Sequence, residues 1–125
     1  MFIIDKQSRV PVYEQLINRM EELIASGALP ADSQIPSVRS LAVELTVNPN
    51  TIQKAYTALE NAGITYSVAG VGRFVSMDAA KIIEARGTSR MSEFRSVVNR
   101  LRMTGVGEQA LISIIKEEFS KGERE

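Results

Sequence analysis

Polar side chains of the kind that read DNA bases recur at helical spacing in the middle of the chain. Asn50, Gln53 and Lys54 fall on one side of a helix, with Thr51 beside them in its first turn. Asparagine and glutamine amides pair bidentately with adenine, while lysine and arginine bind guanine or phosphate. Such a polar face is often only a solvated surface. A short helix is predicted just before this polar helix in the chain, and that arrangement favours base reading over a merely solvated surface.

Capping and helix-terminating residues mark the ends of these two helices. Ser37 is the predicted N-cap of a helix that runs to about Leu45. Asn48 is the predicted N-cap of the next helix, with Pro49 at its first position and Gly63 just past its end. The Ser37 hydroxyl serves either as this cap or as a phosphate contact, and the pattern leaves both roles open. The sequence thus predicts a helix-turn-helix whose second helix carries the polar face.

A hairpin is predicted directly after the second of these helices. Two runs rich in β-branched and aromatic residues, 64–68 and 73–77, read as strands. Gly70 and Gly72 lie in the connection, where glycine permits positive φ and close approach to a ligand. Arg73 stands at the base of this connection, and narrow minor grooves attract arginine. Helix, helix and hairpin together are the parts of a winged helix.

The remaining apolar residues of the first half predict its core. An amphipathic helix is expected from Val12 to Ser26, followed by Gly27. Its apolar stripe consists of Leu16, Met20, Leu23 and Ile24. The inward face of the polar-headed helix consists of Ile52, Ala55, Tyr56 and Leu59. Tyr13 and Tyr56 are interpreted first as core aromatics, with contact of their hydroxyls to phosphate as the weaker alternative.

Composition argues against an enzyme. The chain has no His, no Cys and no Trp, so it lacks the commonest general base and the commonest transition-metal ligands. Carboxylate-only catalysis and an oxygen-ligand metal site stay open, but no paired carboxylate motif or phosphate-cradling loop is visible. We therefore expect no cofactor and no metal. No apolar run approaches the roughly 20 residues that span a bilayer, and no signal peptide is evident, so the expected compartment is the cytoplasm.

The charge balance neither favours nor opposes nucleic-acid binding. The 15 basic and 15 acidic residues give a formal net charge of +0, and residues 1–80 hold 6 basic and 8 acidic side chains. The acidic residues lie mostly outside the predicted reading elements, since between Pro36 and Thr57 only Glu44 opposes Arg39 and Lys54. At a spacing of five residues Glu44 does not face Arg39 well, so an ion pair with Glu44 is a poor explanation of Arg39.

The character of the chain changes after residue 77. Two helical patterns follow, one over 81–103 that is interrupted at Gly87 and one over 108–121. Two such helices cannot enclose a core of their own, so their apolar faces need a partner. That partner is either the winged helix or a second copy of the chain, and the second copy is the expected one. The predicted dimer interface consists of Phe94, Val97, Val98, Leu101, Leu111, Ile114, Ile115 and Phe119. The fold class is therefore α+β: a winged helix-turn-helix over 1–77 and a helical dimerisation region over 78–125.

Several of these segments resemble a known family. They lie in order between about residues 10 and 76: Pro11–Leu16, Ile35–Ala42, Asn50–Tyr56 with Leu59 and Gly63, and Gly70–Val75. Together they resemble the N-terminal domain of GntR-family transcriptional regulators, and the short two-helix tail is similar to the YtrA-like subfamily. Many relatives carry Ser-Arg where this chain has Asn48-Pro49, and that arginine often touches a base. The burden of base contact therefore moves to Asn50, Gln53 and Lys54.

The resemblance implies a homodimer that binds a two-fold symmetric operator in double-stranded DNA, usually as a repressor. The DNA-binding residues expected on this basis are Ser37, Arg39, Asn48, Asn50, Thr51, Gln53, Lys54, Gly70, Gly72 and Arg73. Two other hypotheses stay open. One is a winged helix used only for protein contact, which predicts no salt-dependent DNA affinity. The other is a metabolite sensor whose small-molecule effector binds at the C-terminal helices.

Overall fold

The computed structural model describes residues 1–124, and they form five helices and one hairpin. In chain order these are α1 (Val12–Ala25), α2 (Val38–Leu45), α3 (Pro49–Asn61), β1 (Thr65–Val68), β2 (Gly72–Val75), α4 (Ala79–Met103) and α5 (Glu108–Arg124). The chain divides into two compact units, Met1–Ala85 and a second that begins at Arg86. Among residues 1–124, none of the helices combines the length and apolar character needed to cross a bilayer.

The capping pattern predicted for α2 and α3 is confirmed. The Ser37 hydroxyl accepts a hydrogen bond from the Ser40 N–H at 3.1 Å, and the Asn48 side chain accepts one from the Asn50 N–H at 2.8 Å. Thr46 takes the left-handed conformation, with φ 54°, between the two helices. Each cap satisfies a backbone donor that the first helical turn leaves unpaired. The starting residue of each helix is therefore fixed by local hydrogen bonding.

The core of the first unit is built mainly where α1 and α3 pack together. The four inward residues predicted on α3 are all buried, and so are the four predicted on α1. Phe2, from the segment before α1, joins the same core. Burial of side chains of this size contributes roughly 1.5–3 kcal/mol each. These contacts hold α3 with its opposite, polar side towards solvent.

The wing is a two-stranded antiparallel hairpin, shorter than predicted. Thr65 pairs with Val75 and Val68 pairs with Gly72. Gly72 thus belongs to β2 rather than to the connection, and the strand does not continue to residue 77. The reason lies at Ser76, whose hydroxyl donates to the Gly63 carbonyl at 2.6 Å and turns the chain towards α4.

A segment without predicted structure lies along the outer side of β2. We name residues 32–36 the bridging segment. The Val75 N–H donates to the Ser33 carbonyl at 2.9 Å, and the Ile35 N–H donates to the Arg73 carbonyl at 3.0 Å. These bonds extend the pairing of β2 on its free edge. The bridging segment leads directly into α2, so the hairpin and the helix-turn-helix share one backbone network.

Helix α4 is continuous, which corrects the predicted interruption at Gly87. Its first turns belong to the first unit, where Ala79 is buried and Ile82 and Ile83 pack against the core. Glycine in a helix interior costs about 1 kcal/mol relative to alanine. The helix formers on both sides of Gly87 outweigh this cost.

The second unit leaves large apolar side chains in contact with water. Of the eight predicted interface residues, five are exposed: Phe94, Val97, Ile114, Ile115 and Phe119. Phe119 is the extreme case, with 74% of its surface accessible. The other three, Val98, Leu101 and Leu111, are half-buried. The connection between α4 and α5 turns at Gly105, which has φ +99°.

Candidate nucleic-acid interface

The outer side of α3 presents the predicted polar face. Asn50, Gln53 and Lys54 are exposed, and Thr51 is half-buried beside them. They occupy the first two turns of the helix, which is the part of a recognition helix that reaches base edges. The cap at Asn48 fixes where the helix begins and thereby where these side chains project.

A hydrogen bond along the helix surface orients the Gln53 amide. Its Nε2 donates to the Thr57 hydroxyl at 3.1 Å, one helical turn further on. The Gln53 side chain keeps its carbonyl oxygen and its second N–H available, which are the acceptor and the donor that bidentate pairing with adenine requires. The amide is therefore pre-oriented without losing its base-reading edge.

Lys54 is held over an aromatic ring. Its Nζ lies 3.8 Å from the centroid of the Tyr13 ring, on α1. Tyr13 is half-buried rather than fully in the core, so the ring has one face open to this contact. A cation in this position is attracted by the negative face of the ring. The contact places a positive charge at the edge of the recognition surface, where α1 meets α3.

The start of α2 places Ser37 and Arg39 at the surface. The Ser37 hydroxyl accepts the capping hydrogen bond and also donates to the Ser40 hydroxyl at 3.0 Å. Of the two roles that the sequence left open, the structure contains the capping one. Arg39 is exposed two residues later, in the first turn of the helix.

The tip of the wing carries a valine between two glycines with positive φ. Gly70 has φ +76° and Gly72 has φ +148°, conformations that L side chains rarely adopt. Val71 is 61% exposed at the end of the hairpin. A main-chain hydrogen bond from the Val71 N–H to the Val68 carbonyl, 3.0 Å long, closes the turn. The tip therefore offers backbone and the apolar side chains of Ala69 and Val71.

Arg73 lies behind the tip. It is half-buried, and its guanidinium carbon is 5.3 Å from the centroid of the Tyr56 ring on α3. Its Nη1 is shielded from solvent and has no hydrogen-bond acceptor among the described residues. The side chain thus reaches from the wing towards the recognition helix, while its backbone pairs with the bridging segment.

Tyr56 joins the recognition helix to the bridging segment. Its hydroxyl donates to the Pro36 carbonyl at 2.7 Å, and its ring is fully buried. Burial raises the pKa of the Tyr56 phenol, and the Arg73 guanidinium opposes this shift only in part. Burial thus favours the neutral phenol, which is the form that donates to the Pro36 carbonyl. This geometry agrees with the interpretation of Tyr56 as a core aromatic, since its hydroxyl is already engaged by the Pro36 carbonyl.

Two polar residues beside this surface have no signal in the sequence. Lys6 donates from its Nζ to the Thr46 carbonyl at 2.8 Å, at the turn between α2 and α3. Gln34 donates from its Nε2 to the Val71 carbonyl at 3.2 Å, at the wing. Their partners lie 40 and 37 residues away along the chain. Only the folded structure brings these pairs together.

The geometry defines the class of protein. A helix-turn-helix with a capped, amide-bearing second helix and a glycine-tipped hairpin after it is a winged helix-turn-helix, the architecture of DNA-binding regulators. The family model described as "Bacterial regulatory proteins, gntR family" matches residues 12–75. The chain belongs to this GntR family, as its motifs indicated.

Known proteins resemble the chain beyond this domain. The HTH-type transcriptional repressor YtrA of Bacillus subtilis is 36% identical over 118 residues, which cover 94% of this chain and 91% of that protein. A GntR family transcriptional regulator from Listeria monocytogenes has a solved structure with a TM-score of 0.69 and 29% identity. That alignment covers 91% of this chain and 98% of the Listeria chain. The predicted fold class and the YtrA-like resemblance are confirmed.

The solved neighbours include complexes with operator DNA. The structure of AraR(DBD) in complex with operator ORX1 has a TM-score of 0.53 and 32% identity, and the alignment covers 59% of this chain and 92% of that chain. The shared part corresponds in size to the winged helix alone. A domain with this architecture is thus seen on an operator.

Proposed function

We propose that this chain is a sequence-specific transcriptional repressor that binds a two-fold symmetric operator as a homodimer. The single observation that carries the proposal is the Gln53 amide, oriented by Thr57 on the exposed face of a capped recognition helix. The resemblance to a protein named as a repressor supports the sign of regulation. The operator complex of AraR supports DNA as the partner.

Each element has a distinct role in this proposal. Base reading in the major groove falls to Asn50 and Gln53 on α3, and to Arg39 at the start of α2. Phosphate contacts position these elements without carrying sequence information. This positioning set comprises the side chains of Thr51, Lys54 and Arg73 and the backbone at Ser37 and Asn48, whose side chains are engaged as caps. Gly70 and Gly72 let the wing backbone approach the minor groove.

The helical region supplies the dimer. We assign residues 1–77 to DNA binding and residues 78–125 to dimerisation. Exposed apolar side chains on α4 and α5 support a second copy as their partner, since burial of each contributes roughly 1.5–3 kcal/mol. A two-fold partner also presents two recognition helices to half-sites about 34–36 Å apart. Dimerisation therefore supplies both the apolar cover and the operator symmetry.

The same proposal makes the chain a regulator without an enzymatic reaction, acting in the cytoplasm. The polar side chains described at the recognition surface are amides, hydroxyls and cations, which suit binding to bases and phosphates. A regulator of this family acts where its operator lies. We accordingly assign no catalytic residue.

Selection of DNA from a random pool with the purified full-length chain tests the proposal. We expect enrichment of an inverted repeat, since two related protomers read equivalent half-sites. The variant Gln53→Ala is expected to lose preference at one position of each half-site. Asn61→Ala is the matched control, because it removes an exposed amide from the last turn of the same helix. A pool without enrichment, or enrichment of a sequence without symmetry, would contradict the proposal.

A further inference from the structure

The bridging segment connects the three elements of the recognition surface. Its backbone pairs with β2 in the wing, and its end continues into α2. The Pro36 carbonyl accepts the Tyr56 hydroxyl from α3. At its other end, Asp32 accepts a hydrogen bond from the Tyr66 hydroxyl of β1 at 2.8 Å. Any displacement of this segment would therefore move the wing relative to both helices.

Gln34 is the residue of the bridging segment that touches the wing tip with its side chain. Its Nε2 donates to the Val71 carbonyl at 3.2 Å, and its backbone bridges to Phe74. A Cβ at Gly72 would collide with the Gln34 side-chain amide. The amide therefore occupies the space that the missing side chain of Gly72 leaves. Gln34 supports the tip from one side, while the tip of the hairpin stays exposed.

The composition of the tip makes its position unusually important. The exposed side chains at the tip, Ala69 and the larger Val71, are both apolar, and neither neighbour of Val71 carries a charge. A cation would be attracted to phosphates from a distance, because Coulomb energy falls only as the inverse of separation. A gap of about 0.5–1 Å already forfeits roughly a quarter to a half of the van der Waals attraction. A wing of this kind contributes to binding only where it is held accurately.

We propose that Gln34 is the positioning residue of the wing: it holds Val71 at the depth at which the tip enters the minor groove. The inference rests on the proposed DNA binding and adds the residue that sets the wing in place. Because Gln34 acts through Val71, Gln34 itself is not expected to contact DNA. We therefore expect thermodynamic coupling: the change in DNA affinity caused by a Gln34 substitution must depend on the residue at position 71.

A double-mutant cycle on the selected operator tests this dependence. Gln34→Met keeps side-chain length and charge but removes the donor, and we expect a loss of affinity of about 2- to 12-fold, as for one neutral hydrogen bond. Val71→Asp places a negative charge at the tip and drives it from the groove. In the Val71→Asp background, Gln34→Met is expected to change the affinity by less than about 2-fold. Hydroxyl-radical footprinting should show that Gln34→Met removes minor-groove protection at the wing and leaves protection of the half-site centre.

Controls separate positioning from stability and from direct contact. Gln34 is exposed, so thermal unfolding of Gln34→Met should match that of the original chain. Gln34→Asn retains the amide but is too short to reach Val71, and it should behave like Gln34→Met. An unchanged affinity in both variants would overturn the proposal, as would an equal loss in the Val71→Asp background. Failure of the original chain to select DNA would instead refute the proposed function itself.

Discussion

The hydrogen bond between Gln53 and Thr57 leads to a prediction about pre-organisation of base reading. Thr57→Val replaces the hydroxyl with a methyl group of similar shape and frees the Gln53 side chain. Gln53→Ala removes the amide altogether. We expect both variants to weaken operator binding, but for different reasons: Gln53→Ala loses the contact, and Thr57→Val loses its orientation.

The magnitudes follow from the chemistry of each change. A bidentate amide–adenine pair contributes about 1–3 kcal/mol of discrimination, which is roughly 5- to 150-fold in Kd. Ordering one flexible side chain on binding costs about 0.5–1.5 kcal/mol, or roughly 2- to 12-fold. Thr57→Val should therefore produce the smaller loss. Its effect should vanish when Gln53 is already alanine, because no amide then remains to orient.

Fluorescence anisotropy with the selected half-site, and with the same site substituted at one base pair, measures all four members of this cycle. The substituted site should bind the original chain as weakly as Gln53→Ala binds the selected one. Urea unfolding serves as the control, since Thr57 is exposed and both variants should unfold alike. The reasoning is refuted if Thr57→Val costs as much with alanine at position 53 as with glutamine.

Three further predictions concern the other elements. Arg39→Ala should relax preference at a base pair distinct from that of Gln53 and cost about 1–3 kcal/mol, which repeated selection would detect; an unchanged selected sequence would remove Arg39 from the reading set. Arg73→Ala should weaken binding to all sequences alike and reduce the salt slope of log K by about 0.9, whereas an unchanged slope would leave it a structural residue. Replacing Val98 and Ile114 together with Asp should yield a monomer in sedimentation, and a full-length chain that is already monomeric at micromolar concentration would exclude the dimer.

Local signals in the sequence predicted most of the helix-turn-helix. Ser37 and Asn48 were identifiable as caps because each bonds within its own first turn, so no distant partner is needed. The inner face of α3 was identifiable because apolar spacing reports which side of a helix is buried. The break expected at Gly87 was wrong, since one glycine does not outweigh a long run of helix-forming neighbours.

The side-chain contacts around the wing could not be predicted from such local signals. Gln34 lies in a stretch with no strand pattern, and its partner is 37 residues away. The side chain of Arg73 could not be oriented from sequence, because its position depends on where the Tyr56 ring lies on α3. Pairing between distant segments is decided by packing of the whole unit, so periodicity carries no trace of it.

The cations that rest on tyrosine rings have a consequence for how an operator is found. Lys54 and Arg73 are held by Tyr13 and Tyr56, in a unit whose basic residues are already outnumbered by acidic ones. Attachment to arbitrary DNA depends on the number of phosphates neutralised. Because few cations are available for phosphate contacts, the protein should dissociate quickly from unrelated sequences. It should then search by repeated dissociation and rebinding rather than by long sliding. Its residence time at a site would then depend on the base sequence of that site.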